Sequence, residues 1–247
     1  MAGELEGKVA LVTGGSRGIG AACARALAAR GASVALTYSA SAEAASKIAS
    51  ELGSGSRRAI AISADASDAK AMGSLIGRVV DEFGRLDILV NNAGTAVLAP
   101  ITEISDDQFD RVFAINVRAP FVLCREAARV MGPGGRIINI GSVNSDRMPT
   151  PGFSAYGSSK AALRAMTQAM ARDLASRGIT ANTVQPGPID TELNPADGDF
   201  ARVLKGFMAL DRYGTADEVA ALVAFLAGPT AANITGAHLD IAGGFGI

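Results

Sequence analysis

The chain has 247 residues, 49% hydrophobic and 19% charged, with 24 acidic residues against 23 basic ones. Length and ordinary globular usage fit one large α/β domain and give no sign of disorder or a coiled coil. A net charge of -1 with scattered Lys and Arg excludes a basic face for nucleic acid, and a single histidine, His238, excludes a multi-histidine metal site.

The start M-A-G-E-L-E-G-K lacks the basic and apolar regions of a signal peptide. The longest uncharged run, between Glu218 and His238, is interrupted by Gly228-Pro229 and Asn233. A cytoplasmic protein with no membrane segment is expected. Cys23 and Cys124 fall in apolar helical patterns and read as buried small hydrophobes.

In chain order, K-V-A-L-V-T is the first strand and leads into a helix expected over Gly18–Arg30. S-V-A-L-T and a helix over Ser41–Leu52 follow, then R-A-I-A-I-S and a helix over Ser67–Phe83. L-D-I-L-V-N precedes a long helix over Ser105–Met131, and G-R-I-I-N-I-G precedes another over Ser154–Arg177. I-T-A-N-T-V and A-H-L-D-I complete seven strands. Several of the helices open on a serine that is expected to cap them. A long irregular piece is expected from Pro186 to about Phe200. This alternation predicts a doubly wound seven-stranded parallel sheet with helices on both faces, in one domain spanning residues 1–247. Ligands then bind beyond the carboxyl ends of the strands.

The first strand runs into T-G-G-S-R-G-I-G, where Gly14, Gly18 and Gly20 permit a tight turn and bring a helix N-terminus close to a ligand. The spacing G-x-x-x-G-x-G in this context favours a dinucleotide. After the second strand, where an NAD site usually carries an acid, the chain reads Thr37-Tyr38-Ser39-Ala40-Ser41. Arg17 in the glycine turn is placed to face a 2′-phosphate, with Ser39 or Ser41 hydrogen-bonding it. NADP is therefore expected in preference to NAD.

Tyr156 and Lys160 lie four residues apart and share one helix face. A phenol titrates near about 10, so it needs a neighbouring cation to become a usable acid at neutral pH. Lys160, together with a positively charged nicotinamide, is expected to lower that value. Ser142 ends the fifth strand, where its hydroxyl can polarise a carbonyl. Asn116 is a polar residue in the apolar pattern V-F-A-I-N-V and needs a partner there.

Taken together, T-G-G-S-R-G-I-G, N-N-A-G at Asn91 to Gly94, Asn116, Ser142, Y-x-x-x-K at Tyr156 and Lys160, and Pro186-Gly187 resemble the short-chain dehydrogenase/reductase family along essentially the whole chain. The resemblance implies a single Rossmann domain, usually tetrameric, that moves hydride between a nicotinamide cofactor and a carbonyl or alcohol. It makes Tyr156 the proton donor and Ser142 the group that orients the substrate oxygen. Lys160 would bind the nicotinamide ribose, and Asn116 would hold a water that links Lys160 to solvent. Ser16 and Ile19 of the glycine turn, Tyr38 and Ser39 join the cofactor site. Asp65 and Ala66 follow at the adenine, and Asn92, Ala93 and Gly94 at the adenosine side. Pro186, Gly187, Ile189 and Thr191 complete it.

The general look is that of 3-oxoacyl-carrier-protein reductases and related ketoreductases. The segments G-S-V-N-S-D-R-M-P, Q-P-G-P-I-D-T-E-L-N-P-A-D-G and G-G-F-G are more similar to a cyclic-di-GMP-binding branch. That likeness implies a second reading, a signalling protein on the reductase scaffold, with Arg147 and Arg212 as cations near the mouth. The substrate pocket is expected from residues 144–153 and a loop at about 188–213. Met148, Pro149, Phe153, Leu193, Phe200, Phe207 and Met208 would supply its apolar walls, for a small carbonyl or alcohol substrate.

Overall fold

The computed structural model describes residues 3–53 and 57–247. The strands are Val9–Val12 (β1), Ser33–Tyr38 (β2), Ala59–Ser63 (β3), Ile88–Asn91 (β4), Arg136–Ile140 (β5) and Thr180–Pro186 (β6). A short pair, Ile189–Asp190 (β7) and Gly214–Thr215 (β8), stands apart, and His238–Ile241 (β9) closes the main sheet. Its seven strands run parallel in the order β3-β2-β1-β4-β5-β6-β9, with the switch in winding direction between β1 and β4. This is the Rossmann arrangement expected from the alternating pattern.

The helices are Gly18–Ala29 (α1), Ala42–Leu52 (α2), Ala69–Phe83 (α3), Asp106–Phe113 (α4), Ala119–Val130 (α5), Ser154–Leu174 (α6), Asp199–Lys205 (α7) and Ala216–Ala227 (α8). Alternate residues of β1 face opposite cores. Ala10 and Val12 pack with Ala24 and Leu27 of α1 and Val219 and Val223 of α8. Val9 and Leu11 pack with Leu75 and Val79 of α3 and Leu123 and Ala127 of α5. A strand covered on both sides has no polar face, which explains its uninterrupted apolar run.

Three expectations are corrected. The long helix over Ser105–Met131 is helical without a gap from Asp106 to Val130, but it is not regular: it widens into a π-turn at Ala114–Arg118, between α4 and α5. Of Ser41, Ser67, Ser105 and Ser154, Ser105 alone makes a side-chain cap, in a reciprocal box with Gln108; Asp68 caps α3 in place of Ser67. The stretch after β6 contains β7 and α7, and α8 follows in a run that looks only apolar. Thr215 and Glu218 form a capping box at the start of α8, and that T-x-x-E spacing was its signal in the sequence.

Polar groups help tie the sheet together, at the β4–β5 seam and at the opposite end among other places. Asn91 and Asn139 are register partners on β4 and β5, and Asn91 Nδ2 donates to Asn139 Oδ1 at 2.8 Å. Asn139 Nδ2 donates to Thr167 Oγ1 at 2.8 Å, which docks α6 on the sheet. At the opposite end, the Asp87 carboxylate accepts from Val9 N at 3.0 Å and from Arg85 Nε and Nη2 at 2.8 and 2.6 Å, with Lys8 at 3.4 Å. Burial pushes the Asp87 pKa up, but the arginine, the amide and the lysine outweigh it, and the net direction is down.

A carboxyl whose folded pKa is depressed stabilises the protein above its ordinary titration range and loses that contribution as pH falls through the folded value. Asp87→Asn should therefore cost about 1–3 kcal/mol at pH 7 in a urea titration. The gap to the parent should narrow below about pH 4, the range in which an ordinary Asp is protonated. A gap that stays constant with pH would mean that the Asp87 charge is not what holds β1 to β4.

Candidate active site

The turn after β1, the residues after β4 and β5, and the segment after β6 border one cavity of about 880 Å³. It lies at the carboxyl edge of the sheet, where the topology puts a ligand site. Gly14 adopts φ 63°, and its N–H donates to Thr37 Oγ1 at 3.1 Å. Thr13 Oγ1 accepts from the N–H groups of Asn92 and Ala93, each at 3.0 Å, while Asn92 Nδ2 donates to the carbonyls of Thr13 and Gly14. The loops after β1 and β4 are thus one hydrogen-bonded unit. Thr13 was missed in the sequence, where a threonine ending a strand carries no distinguishing mark.

Most of the expected site comes together. Gly14, Ser16, Arg17, Gly18 and Ile19 line one arm, with Tyr38, Ser39, Asp65 and Ala66 beside them. Asn92, Ala93 and Gly94 line the floor, and Pro186, Gly187, Ile189 and Thr191 the facing wall. Ser142, Tyr156 and Lys160 stand at the inner end. Two residues do not line it. A Cβ at Gly20 would lie 2.2 Å from Gly14 O and 2.5 Å from Asn92 Nδ2, so this glycine packs the turn rather than facing a ligand. Asn116 is buried against the loop after β4, bonded to Thr95.

Arg17 precedes α1 and reaches 3.8 Å from Glu192 across the mouth, both side chains largely exposed. Asp65 accepts from Ser67 N and Oγ at 2.8 Å each, and these bonds hold its carboxyl below the usual range. Arg111 also lines this arm. It too was missed, because in sequence it is one of several charges along α4.

Lys160 is 5% exposed and donates from Nζ to the carbonyl of Ile140 at 2.8 Å. Burial pulls its pKa down to about 8. Above it, a Cβ at Gly94 would lie at ordinary contact distance, 3.4 Å from Asn116 Oδ1 and 3.5 Å from Lys160 Nζ, so this loop passes close over the amine. Asn116 lies in the π-turn. Its Oδ1 accepts from Thr95 N at 2.9 Å, and its Nδ2 donates to Thr95 O at 2.8 Å and to Ser159 Oγ at 3.0 Å. Ser159 Oγ in turn donates to Tyr156 O at 2.7 Å.

Tyr156 is partly buried against Phe153, with ring centroids 6.3 Å apart. Its phenol is pushed up by burial, and a hydrogen bond with Ser142 opposes that shift. Lys160 Nζ stands 5.8 Å from the ring centroid. The expected lowering joins Lys160 to a nicotinamide charge; with the lysine alone, 5.8 Å from the ring, the phenol's net direction is up.

The apolar arm differs in part from expectation. Phe153, Leu193 and Phe200 line it, joined by Leu98, Leu204 and Phe245. Met148 is 47% exposed outside it, Phe207 stacks edge-on with Phe245, and Met208 lies in a small core with Val143 and Tyr213. Pro149 is not part of the lining either. Neither Arg147 nor Arg212 reaches the cavity. Arg147 donates to Asp240 at 2.9 Å, and Arg212 forms a two-pronged pair with Glu218 at 2.7 and 3.1 Å.

A family profile described as enoyl-(acyl carrier protein) reductase matches residues 14–246. The cyclic-di-GMP-binding biofilm dispersal mediator protein of Escherichia coli (strain K12) is 49% identical over 99% of this chain and 99% of its own length. A versicolorin reductase of Emericella nidulans is 38% identical over 98% and 96%. The crystal structure of a short chain dehydrogenase from Burkholderia cenocepacia J2315 in complex with NADP superposes with a TM-score of 0.96, at 51% identity over 98% of each chain. Such similarity along the full length, in sequence and in fold, makes the chain a member of the short-chain dehydrogenase/reductase family.

Proposed function

We propose that the protein is an NADPH-dependent reductase of ketones, reversible toward the secondary alcohols, with Tyr156 as its proton donor. The observation that carries this reading is the meeting of Ser142, Tyr156 and Lys160 at the inner end of a cavity whose other arm is a glycine turn at a helix N-terminus. The residues fit such a cofactor. A Cβ at Gly18 would touch only the Thr191 side chain, so the turn's backbone lies bare toward the cavity. Lys160 uses one of its three donors on Ile140, which leaves two for ribose hydroxyls.

When bound, NADPH supplies the hydride received by the carbonyl carbon. The protein's work is at the oxygen. Ser142 donates a hydrogen bond to it, and Tyr156 transfers its proton as negative charge develops there. A phenol held above its ordinary pKa is fully protonated at neutral pH, so the donor is always loaded. Lys160, with a pKa near 8, is mostly cationic at pH 7 and lies on the tyrosine side, where it favours the phenolate left behind. Asn116 acts at one remove, through Thr95 and Ser159, by fixing the loop above the lysine and the helix turn that carries the tyrosine.

Arg17 and the absence of an acid after β2 support NADPH over NADH. The arginine's present partner, Glu192, is an exposed acid at 3.8 Å, a contact weak enough to yield to a phosphate. A cytoplasmic homotetramer belongs to the same reading. Phe109 on α4 and Phe121 on α5, 42% and 46% exposed, are supporting apolar surface for assembly. Cyclic-di-GMP binding is the second reading, favoured by the name of the Escherichia coli relative, yet the two arginines it would use are engaged outside the cavity.

Tyr156→Phe should lower NADPH-dependent ketone reduction by roughly 10²–10⁴-fold while NADPH still binds, as followed by cofactor fluorescence. A parent that oxidises no NADPH over a broad ketone panel, but releases heat with cyclic-di-GMP, would replace the reductase reading. Arg17→Ala should weaken NADPH by about 1–3 kcal/mol and leave NADH nearly unchanged. Equal losses for both cofactors would remove Arg17 from the 2′-phosphate site.

The buried amine also predicts a trade of stability for function. A lysine whose folded pKa lies below its ordinary value penalises folding fully below that folded value, and the penalty fades as pH rises toward the ordinary one. Lys160→Met should abolish turnover yet raise Tm by several degrees at pH 7. The advantage should shrink by pH 10. A variant less stable than the parent at pH 7 would show that the amine's bond to Ile140 outweighs its desolvation.

A further inference from the structure

Asn144 follows Ser142 by two residues, lines the cavity, and is absorbed by neither the cofactor site nor the proton donor. Its Nδ2 donates to the carbonyl of Arg147 at 2.8 Å. A backbone carbonyl accepts only, so this bond fixes which end of the carboxamide is which. Oδ1 therefore faces Ser142, whose Oγ donates to it at 3.2 Å. The N–H of Asn144 meanwhile donates to the same Ser142 Oγ at 3.1 Å. The serine's one proton points at Asn144, and the Tyr156 phenol lies beside the same hydroxyl.

That arrangement has a consequence for any ketone that enters. To bind a carbonyl oxygen, the Ser142 hydroxyl must turn its proton away from Asn144. Asn144 Oδ1 then loses its donor and stays held in place by Arg147, an acceptor facing the bound substrate. An acceptor left without a partner in a closed site weakens binding, and a substrate that brings its own donor removes that cost. In a ketone carrying a hydroxyl on the neighbouring carbon, held syn, the two oxygens lie roughly one O–H···O hydrogen-bond length apart. The two protein atoms that would meet them, Ser142 Oγ and Asn144 Oδ1, are 3.2 Å apart. A closed ring of two hydrogen bonds results, Ser142 O–H to the ketone oxygen and the substrate O–H to Asn144 Oδ1.

We propose that Asn144 is a specificity-determining residue and that the site selects ketones bearing a hydrogen-bond donor on the carbon next to the carbonyl, α-hydroxy ketones in the first instance. The assignment rests on the reductase reading above. Neighbouring charge agrees with a donor-bearing, non-anionic substrate, since Glu192 and Asp197 line the mouth on the side of the 188–213 segment. The cations of α7 are already engaged there, Arg202 with Asp199 and Lys205 with the carbonyl of Ala196.

The test compares kcat/KM with NADPH for 2-hydroxy-1-phenylethanone, its 2-methoxy ether and unsubstituted 1-phenylethanone, in the parent and in Asn144→Ala. The ether keeps the oxygen and its electron withdrawal but has no proton to donate. The parent should favour the hydroxy ketone over the ether by tenfold or more, and Asn144→Ala should bring that ratio to within about twofold. A parent ratio near one, or a ratio that Asn144→Ala leaves intact, overturns the assignment of Asn144. Because the parent's ratio is read without any variant, a poorly folded Asn144→Ala still leaves a decisive result. Failure of the parent to reduce all three ketones, and a wider panel besides, would instead count against the reductase reading itself.

Discussion

A lysine ammonium sunk to 5% exposure, with a single backbone carbonyl as its partner, sets the terms for the rest of the site. Its stem must lie along α6 with its amine at the end of β5, which fixes the height of the helix on the sheet. The Asn139–Thr167 bond secures the same register two turns further on. Gly94 packs over the amine, where a Cβ would lie 3.5 Å from Nζ. An uncompensated cation this deep is disfavoured in the empty fold, and such strain is characteristic of a position kept for what it does rather than for stability.

The π-turn belongs to the same constraint. One extra residue in the turn at Ala114–Arg118 lets Asn116 reach back to both backbone groups of Thr95 and forward to Ser159. A regular α-helix through this stretch would satisfy its own backbone and leave a buried carboxamide to find partners by chance. Wide turns of this kind recur at functional sites for that reason. The apolar periodicity over Ser105–Met131 runs through the turn without a break, so periodicity alone finds the helix and not its widened turn.

What the sequence carries well is whatever depends on local pattern. Val9–Val12, Ile88–Asn91 and Arg136–Ile140 are buried on both faces, so their apolar runs stand out, and the expected order of strands and crossover helices follows from them. The glycine turn and the Tyr156–Lys160 spacing are equally local. Relations across the fold are less legible. Thr13 joins two loops through a side chain with no motif around it, Arg111 of α4 lines the cavity, and Met148 turns outward while Met208 enters a secondary core. Each depends on where separate elements meet, which no window of residues encodes. The serine caps failed for a subtler reason, since Asp68 competes for the same helix start as Ser67 and a carboxylate satisfies two amides there, those of Lys70 and Ala71.

The cavity's charges divide along its length, and the division bears on which carbonyl compounds the fold can accept. Arg17 and Arg111 sit with the glycine turn, where phosphates belong, and Asp65 beside them has its carboxylate engaged by Ser67. On the other arm the charged lining is acidic, Glu192 and Asp197, over a wall of Phe153, Leu193, Phe200 and Phe245. An acyl thioester on a phosphorylated carrier would bring negative charge past those two acids, offset only by Arg17 at 3.8 Å from Glu192. Each encounter at an exposed carboxylate is weak because water and salt screen it, yet the contributions have one sign and act on every approach. A small uncharged ketone meets no such opposition and gains from the aromatic wall, so the field of the mouth and the chemistry at Ser142 favour the same class of substrate.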